Sequence, residues 1–139
     1  MAITQTMTDT CKEDLLTGDV HFDTDTFKIA LFTSDATLNA STTAYADSNQ
    51  VSSTNYTAGG VALTGATVSV SDNIAFVDFA DATWSNVTFT ARGALIYNTS
   101  NSNASIAVLD FGSDKTVTNG TFTVTFPAAS ATTALIRIE

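Results

Sequence analysis

The chain is organised around Asn86 to Asn98, NVTFTARGALIYN, where side chains alternate without a slip. Val87, Phe89, Ala91, Gly93, Leu95 and Tyr97 fall on one side, and Thr88, Thr90, Arg92, Ala94 and Ile96 on the other. Period-two alternation marks a strand with one face in a core. An extended run of this length spans roughly 40 Å, longer than the usual strand. A bend is therefore expected, with Gly93 as the natural place for a bulge or corner. The neighbouring elements should pair against this strand.

Residues 1–7 read as an N-terminal arm. Thr8 or Thr10 can cap a short helix over 8–17 that carries Cys11, Leu15 and Leu16 and stops at Gly18. Asp9 falls near its positive end, where the macrodipole favours an anion. A helix of about ten residues is marginal alone in water, so it should dock on its own sheet or on a neighbouring subunit. Phe27–Phe32 predicts a strand with Phe27, Ile29 and Leu31 inward.

The long polar loop over residues 33–60 shows little periodicity beyond a short strand near Tyr45 or Val51. Loops this long are uncommon in compact domains and are often functional. Tyr45 and Tyr56 stand there as large groups among Ser, Thr, Ala and Asn, available to a partner or as anchors on the chain's own sheet.

Val61–Val70 resumes as a strand, Ser71-Asp72-Asn73 is a turn, and Ile74–Phe79, apolar on both sides, suggests an interior strand. Residues 80–85 form a corner, with Trp84 plugging one end of the body. Ile106–Phe111 is nearly apolar throughout. Asn119-Gly120 signals a hairpin between a short strand around Val117 and Thr121–Phe126, which Pro127 ends. Ala134–Ile138 gives a last strand. About eight strands at short spacing with one small helix predict an all-β antiparallel β-sandwich, Greek-key or jelly-roll-like, in a single domain over 1–139. No self-similarity supports a solenoid or propeller.

Charge narrows the partners. Fourteen acidic residues against five basic ones give a net charge of −9, which repels phosphate backbones and anionic headgroups. Neither nucleic acid nor a membrane is an expected partner. Cys11 is the only cysteine, so an intrachain disulfide and a cysteine zinc site are excluded. The first ten residues hold no basic residue and no apolar run, which argues against a signal peptide and for a soluble protein made in the cytoplasm. Six N-x-[ST] sequons follow from a composition with 39 Ser and Thr residues and carry no message without a secretory signal.

The candidate chemistry is thin. His21 lies beside Asp19, Asp23 and Asp25, but the EF-hand pattern is missing and an acidic hydrated turn fits better than a metal site. Asp110-Phe111-Gly112 spells a kinase triplet without a kinase's other motifs. Asp78 and Asp81 could be imagined as a glycosidase pair, but solvated flanks of a turn fit them better. Arg92 is expected to form a structural ion pair with Asp78 or Asp110. With one histidine and no nucleophile elbow, a hydrolase triad has nowhere to assemble. The expectation is no catalytic residue, no metal and no cofactor, and a structural or binding role.

Several segments carry a resemblance: Met1–Thr8, Glu13–Gly18, Asp25–Leu31, Tyr56-Thr57-Ala58-Gly59-Gly60, Thr90–Asn98 and Val108–Gly112. Together they are similar to small virion structural proteins of tailed bacteriophages, whose members range from capsid decoration to tail-fibre-like proteins. The resemblance implies a virion location, a homo-oligomer, and the major capsid protein or other virion proteins as partners. Its motifs belong to the scaffold, so no binding residue is carried over from it. The reading of the residues puts partner contacts on Met1, Ile3 and Met7 of the arm and on Tyr45 and Tyr56, with Trp84, Arg92 and Gly93 structural. A tail or fibre component is the alternative, and a carbohydrate-binding sandwich stacking sugars on Trp84, Tyr45 or Tyr56 is another.

Overall fold

The computed structural model describes residues 2–138. In chain order the elements are β1 (Thr6–Met7), α1 (Asp9–Thr17), β2 (Phe27–Phe32), β3 (Val61–Ala62), β4 (Thr67–Ser71), β5 (Ile74–Asp78), β6 (Ala82–Asn98), β7 (Ala104–Val124) and β8 (Ile136–Ile138). The strands form two antiparallel sheets, ordered β1-β7-β6-β2-β3 and β4-β5-β8. This is the expected all-β, sandwich-like fold with one short helix. Among the described residues no helix is long and apolar enough to cross a membrane.

The helix starts and stops where its sequence directs. Thr8 is extended and accepts from the Cys11 N–H at 3.2 Å, while Gly18 ends the helix in the left-handed region at φ 81°. The docking is intramolecular. The Thr8 hydroxyl reaches the Ser105 and Ile106 carbonyls, each at 3.2 Å, and accepts from the Ser105 hydroxyl at 2.9 Å. Cys11 is fully buried beneath the helix, whereas Leu16 on its outer side is 90% exposed.

β6 is the spine, pairing β2 from Phe27↔Asn98 to Phe32↔Gly93 and β7 from Ala82↔Val124 to Asn98↔Ala104. It reaches back to Ala82, so the expected corner over 80–85 is mostly strand, and Trp84 is a core residue of β6 rather than a plug outside it. β7 fuses the three strands expected between Ile106 and Phe126 into one of 21 residues.

The Asn119-Gly120 hairpin is therefore corrected to a bulge. Val87 pairs with Gly120 and Phe89 with Val117, leaving Thr118 and Asn119 opposite Thr88. Asn119 has φ 45°, and the left-handed tolerance that makes Asn-Gly a turn signal serves a bulge equally well. A second bulge places Asn86 at φ 55° between the Trp84↔Phe122 and Val87↔Gly120 pairs. The irregularity expected at Gly93 is present, with its surplus on the other strand. Ala91 pairs with Lys115 and Gly93 with Asp110, so residues 111–114 stand opposite Arg92 alone.

The side expected to face one core is split between two apolar clusters. Val87, Phe89 and Ala91 lie in the main core, but past the irregularity at Arg92 it is Ala94 and Ile96 that enter it, while Leu95 and Tyr97 turn to the opposite face. Ile29, Leu31, Val77, Phe79, Trp84, Val87, Phe89, Ile96, Ile106 and Ile136 pack in the main core. Ile3, Phe32, Ala36, Leu38, Leu95, Tyr97 and Val108 form a second cluster on the opposite face of the larger sheet. Ala36, Leu38 and Tyr45 of the long loop and the N-terminal arm cover that face, whereas Val51 and Tyr56 turn into the main core. Ile3 bridges Leu38, Thr4 N–H donates to Leu38 O at 2.9 Å, and Leu38 N–H donates to Ala2 O at 3.1 Å. Burying a side chain such as Ile3 or Leu38 is worth about 1.5–3 kcal/mol. That gain holds a polar loop against a sheet.

Candidate functional site

The residues expected to meet a partner are, with one exception, occupied within the chain. Met1 lies outside the described residues. Ile3 is 9% exposed, and Met7 pairs with Ala107 and packs against the main core. The arm is docked in cis because the apolar face left open by β6 and β7 is beside it. Gly93 makes the room: a Cβ there would lie 2.5 Å from the Leu109 carbonyl oxygen and 2.9 Å from two Ile3 side-chain carbons.

Tyr45 and Tyr56 anchor the long loop on its own sheet. Tyr45 stacks on Tyr97 with ring centroids 4.6 Å apart and donates to Gln50 Oε1 at 3.1 Å. Tyr56 is buried and its hydroxyl accepts from the Leu31 N–H at 2.8 Å. Gln50 Oε1 also accepts from Gly59 N–H at 2.6 Å, and the Tyr97 hydroxyl donates to Gly59 O at 2.6 Å. Burial pushes the Tyr56 and Tyr97 phenols up to about 12. The Tyr56–Gly60 motif thus has a packing explanation. Gly60, at φ 81°, rides so close to β2 that a Cβ would lie 1.7 Å from Ile29 O. Tyr56 and the buried Trp84, which stack on each other at 6.2 Å, present no open ring face to a sugar.

Arg92 pairs with Asp110, Nε to Oδ1 at 3.3 Å, rather than with Asp78. The Gly112 N–H bond to Asp110 at 2.9 Å, aided by Arg92, holds that carboxyl below its ordinary value. Asp110 pairs with Gly93, and Phe111-Gly112 opens the 111–114 bulge of β7. Asp25, in the acidic turn, accepts from the His21 N–H at 2.9 Å and from Asn98 Nδ2 at 2.8 Å, tying the turn to the end of β6. Asp81 accepts from the Phe126 N–H at 3.0 Å. Among the described residues, Asp78 Oδ1 and Trp84 Nε1 are buried side-chain atoms with no hydrogen-bond partner.

What remains free is a surface of unusual charge distribution. Six of the fourteen carboxylates lie within residues 9–25, at the α1 end of β7. Residues 48–71, 82–91 and 116–136 carry no charged side chain at all. Residues 82–91 and 116–124 pair as the ribbon half of β6 and β7, at the opposite end of β7 from the Ser105–Ile106 contacts of α1. The ribbon's outer face is built from Thr83, Thr88, Thr90, Thr116 and Thr123, with hydroxyl pairs Thr90–Thr116 at 2.9 Å and Thr83–Thr123 at 3.3 Å. Ser53 and Asn55 extend it, donating to the Thr88 and Asn86 carbonyls at 2.7 and 2.9 Å.

The second free feature is β4, an edge strand in which every residue is exposed, including Val68 at 52% and Val70 at 71%. The sequence predicts a single strand over 61–70. Instead Gly65, at φ 66°, lies between β3 and β4, which belong to different sheets. Comparison with models of known protein families, with curated proteins and with solved structures finds no match.

Proposed function

We propose that this chain is a structural protein of a bacteriophage virion, most directly a decoration (cement) protein that binds the major capsid protein on the outside of the shell and stabilises it. The sequence resemblance supplies the class. The observation that carries the reading is the polarity of the surface. An uncharged threonine ribbon at one end presents neither net repulsion nor a large charge-desolvation penalty to a protein partner. The acidic end beside α1 then faces solvent. Two-sided burial along residues 93–98 and the bulge-locked β6–β7 hairpin supply the rigidity that a clamp on a shell needs.

The test uses purified virions and shells stripped of the protein. Hundreds of copies per particle, and rebinding of added protein to stripped shells, are the expected results. Thr90→Glu with Thr116→Glu should abolish rebinding while Glu13→Lys leaves it intact. A few copies per particle would move the protein to the tail or a fibre. Absence from the virion would overturn the reading altogether.

A further inference from the structure

We propose that two copies of this chain join through β4, edge to edge and antiparallel about a two-fold axis at Ser69, making one continuous sheet β8-β5-β4-β4-β5-β8. The inference stands apart from the virion reading. β4 is the longest of the terminal strands of the two sheets among the described residues: β1 and β3 have two residues each and β8 has three, while the longer open flanks of β6 and β7 beyond β2 and β1 are broken by bulges. Natural edges are guarded by charge, proline or brevity, and Thr67-Val68-Ser69-Val70-Ser71 has neither charge nor proline. No residue of β4 is buried in its own chain, so the strand is held only by its pairing with β5 and leaves Val68 and Val70 open to water.

The register is self-complementary in both backbone and side chains. Asp72 and Asn73, at φ 53° and 64°, form a two-residue turn closed by Ser71↔Ile74. By alternation Thr67, Ser69 and Ser71 direct their amides and carbonyls at β5, and Val68 and Val70 direct theirs outward. A two-fold at Ser69 sets each Val68 opposite the partner's Val70, so both pairs can exchange their free N–H and C=O groups.

Side chains follow the same geometry. Val70, Ala75 and Ile138 form one row across the smaller sheet, and Val68, Val77 and Ile136 form the next, by register. The first row is partly exposed, with Ile138 at 48%, and the second leads into the core. Across the two-fold the exposed row of each copy runs into the core row of the other. The self-complementary register selects a second copy as the occupant, and the absence of charge on β4 itself permits it. In a chain of net charge −9, β4 lies within the uncharged run 48–71, where two copies can touch without bringing β4 carboxylates together. A five-residue edge buries less than a standard interface, so the dimer should be weak.

Sedimentation equilibrium of the full chain from about 10 µM to 1 mM should show a monomer–dimer equilibrium. Val70→Lys, at an exposed position, should weaken it at least tenfold, while Thr88→Lys on the ribbon should leave it within twofold. Ser69→Cys should give a disulfide-linked dimer on mild oxidation much faster than Thr83→Cys, since Cys11 is buried and only the introduced thiols are accessible. A monomer throughout, another stoichiometry, a dimer indifferent to Val70→Lys, or equal cross-linking of the two cysteine variants would overturn the proposal.

Discussion

Replacing Ile3 by Ala tests whether the arm belongs to its own chain. Ile3 is 9% exposed and packs with Phe32, Leu38, Leu95, Tyr97 and Val108. The change removes three buried carbons, about 2.4 kcal/mol at 0.8 kcal/mol for each. A rigid cavity would add to this, but a residue near a chain end can settle inward and offset part of that addition. The expected loss is about 2–3 kcal/mol, or roughly 8–12 °C in Tm for a chain of this size. Urea unfolding followed by Trp84 fluorescence measures it, with the slope of the transition unchanged. Gly93→Ala supplies a cross-check. Its new methyl meets both Ile3 and the Leu109 carbonyl, so the cost should shrink, though not vanish, when Ile3 is already Ala. A loss below about 0.5 kcal/mol for Ile3→Ala, with no coupling to Gly93→Ala, would mean that the arm does not cover this face in solution.

Gly60→Ala should destabilise by more than about 3 kcal/mol, because a positive φ and a backbone clash with Ile29 coincide, and low yield of folded protein or a collapsed urea midpoint would register it. Burial raises Cys11 from 9.0 and Tyr56 from 10.0, both to about 12, so their contribution to stability is full below those starting values and is lost as pH rises towards 12. Together they remove about 4 kcal/mol by pH 11. Circular dichroism should show alkaline unfolding between about pH 10 and 12, with a decline that Cys11→Ala makes shallower; an unaltered decline would refute the thiol's part. Asp110 titrates the other way: its lowered value stabilises above the ordinary carboxylate range and is lost as pH falls through it. Asp110→Ala should lower Tm more than Arg92→Ala, which costs under about 1 kcal/mol, since only the former strips the Gly112 N–H of its acceptor.

Residues whose fate is set locally were legible in the sequence. Thr8 and Gly18 bracket the helix, Phe27–Phe32 pairs as expected, and Asp72-Asn73 turns the chain. Asn119-Gly120 misled because a left-handed asparagine serves a hairpin and a bulge alike, and only the partner strand decides between them. The covering role of residues 33–50 was hidden for a related reason. Ala36, Leu38 and Tyr45 show no period, yet the unbroken apolar runs at 93–97 and 106–109 already demanded a lid on both faces. The free edge at β4 was illegible because alternation in TVSVS reports a strand and not what lies above it.

Three of the four β6–β7 irregularities hold a residue at positive φ, with a consequence for how faithfully the chain assembles. Asn86, Asn119 and Gly112 sit at positive φ, where Val, Ile and Thr are poorly accommodated. Sliding one strand past the other by two residues would carry Trp84 or Thr88, Asp110 or Asp114, and Val117 or Thr121 into those left-handed seats and strand the asparagines in flat ladder. Like wards in a lock, the irregularities admit one alignment of two long, threonine-rich strands that otherwise offer many near-equivalent matches.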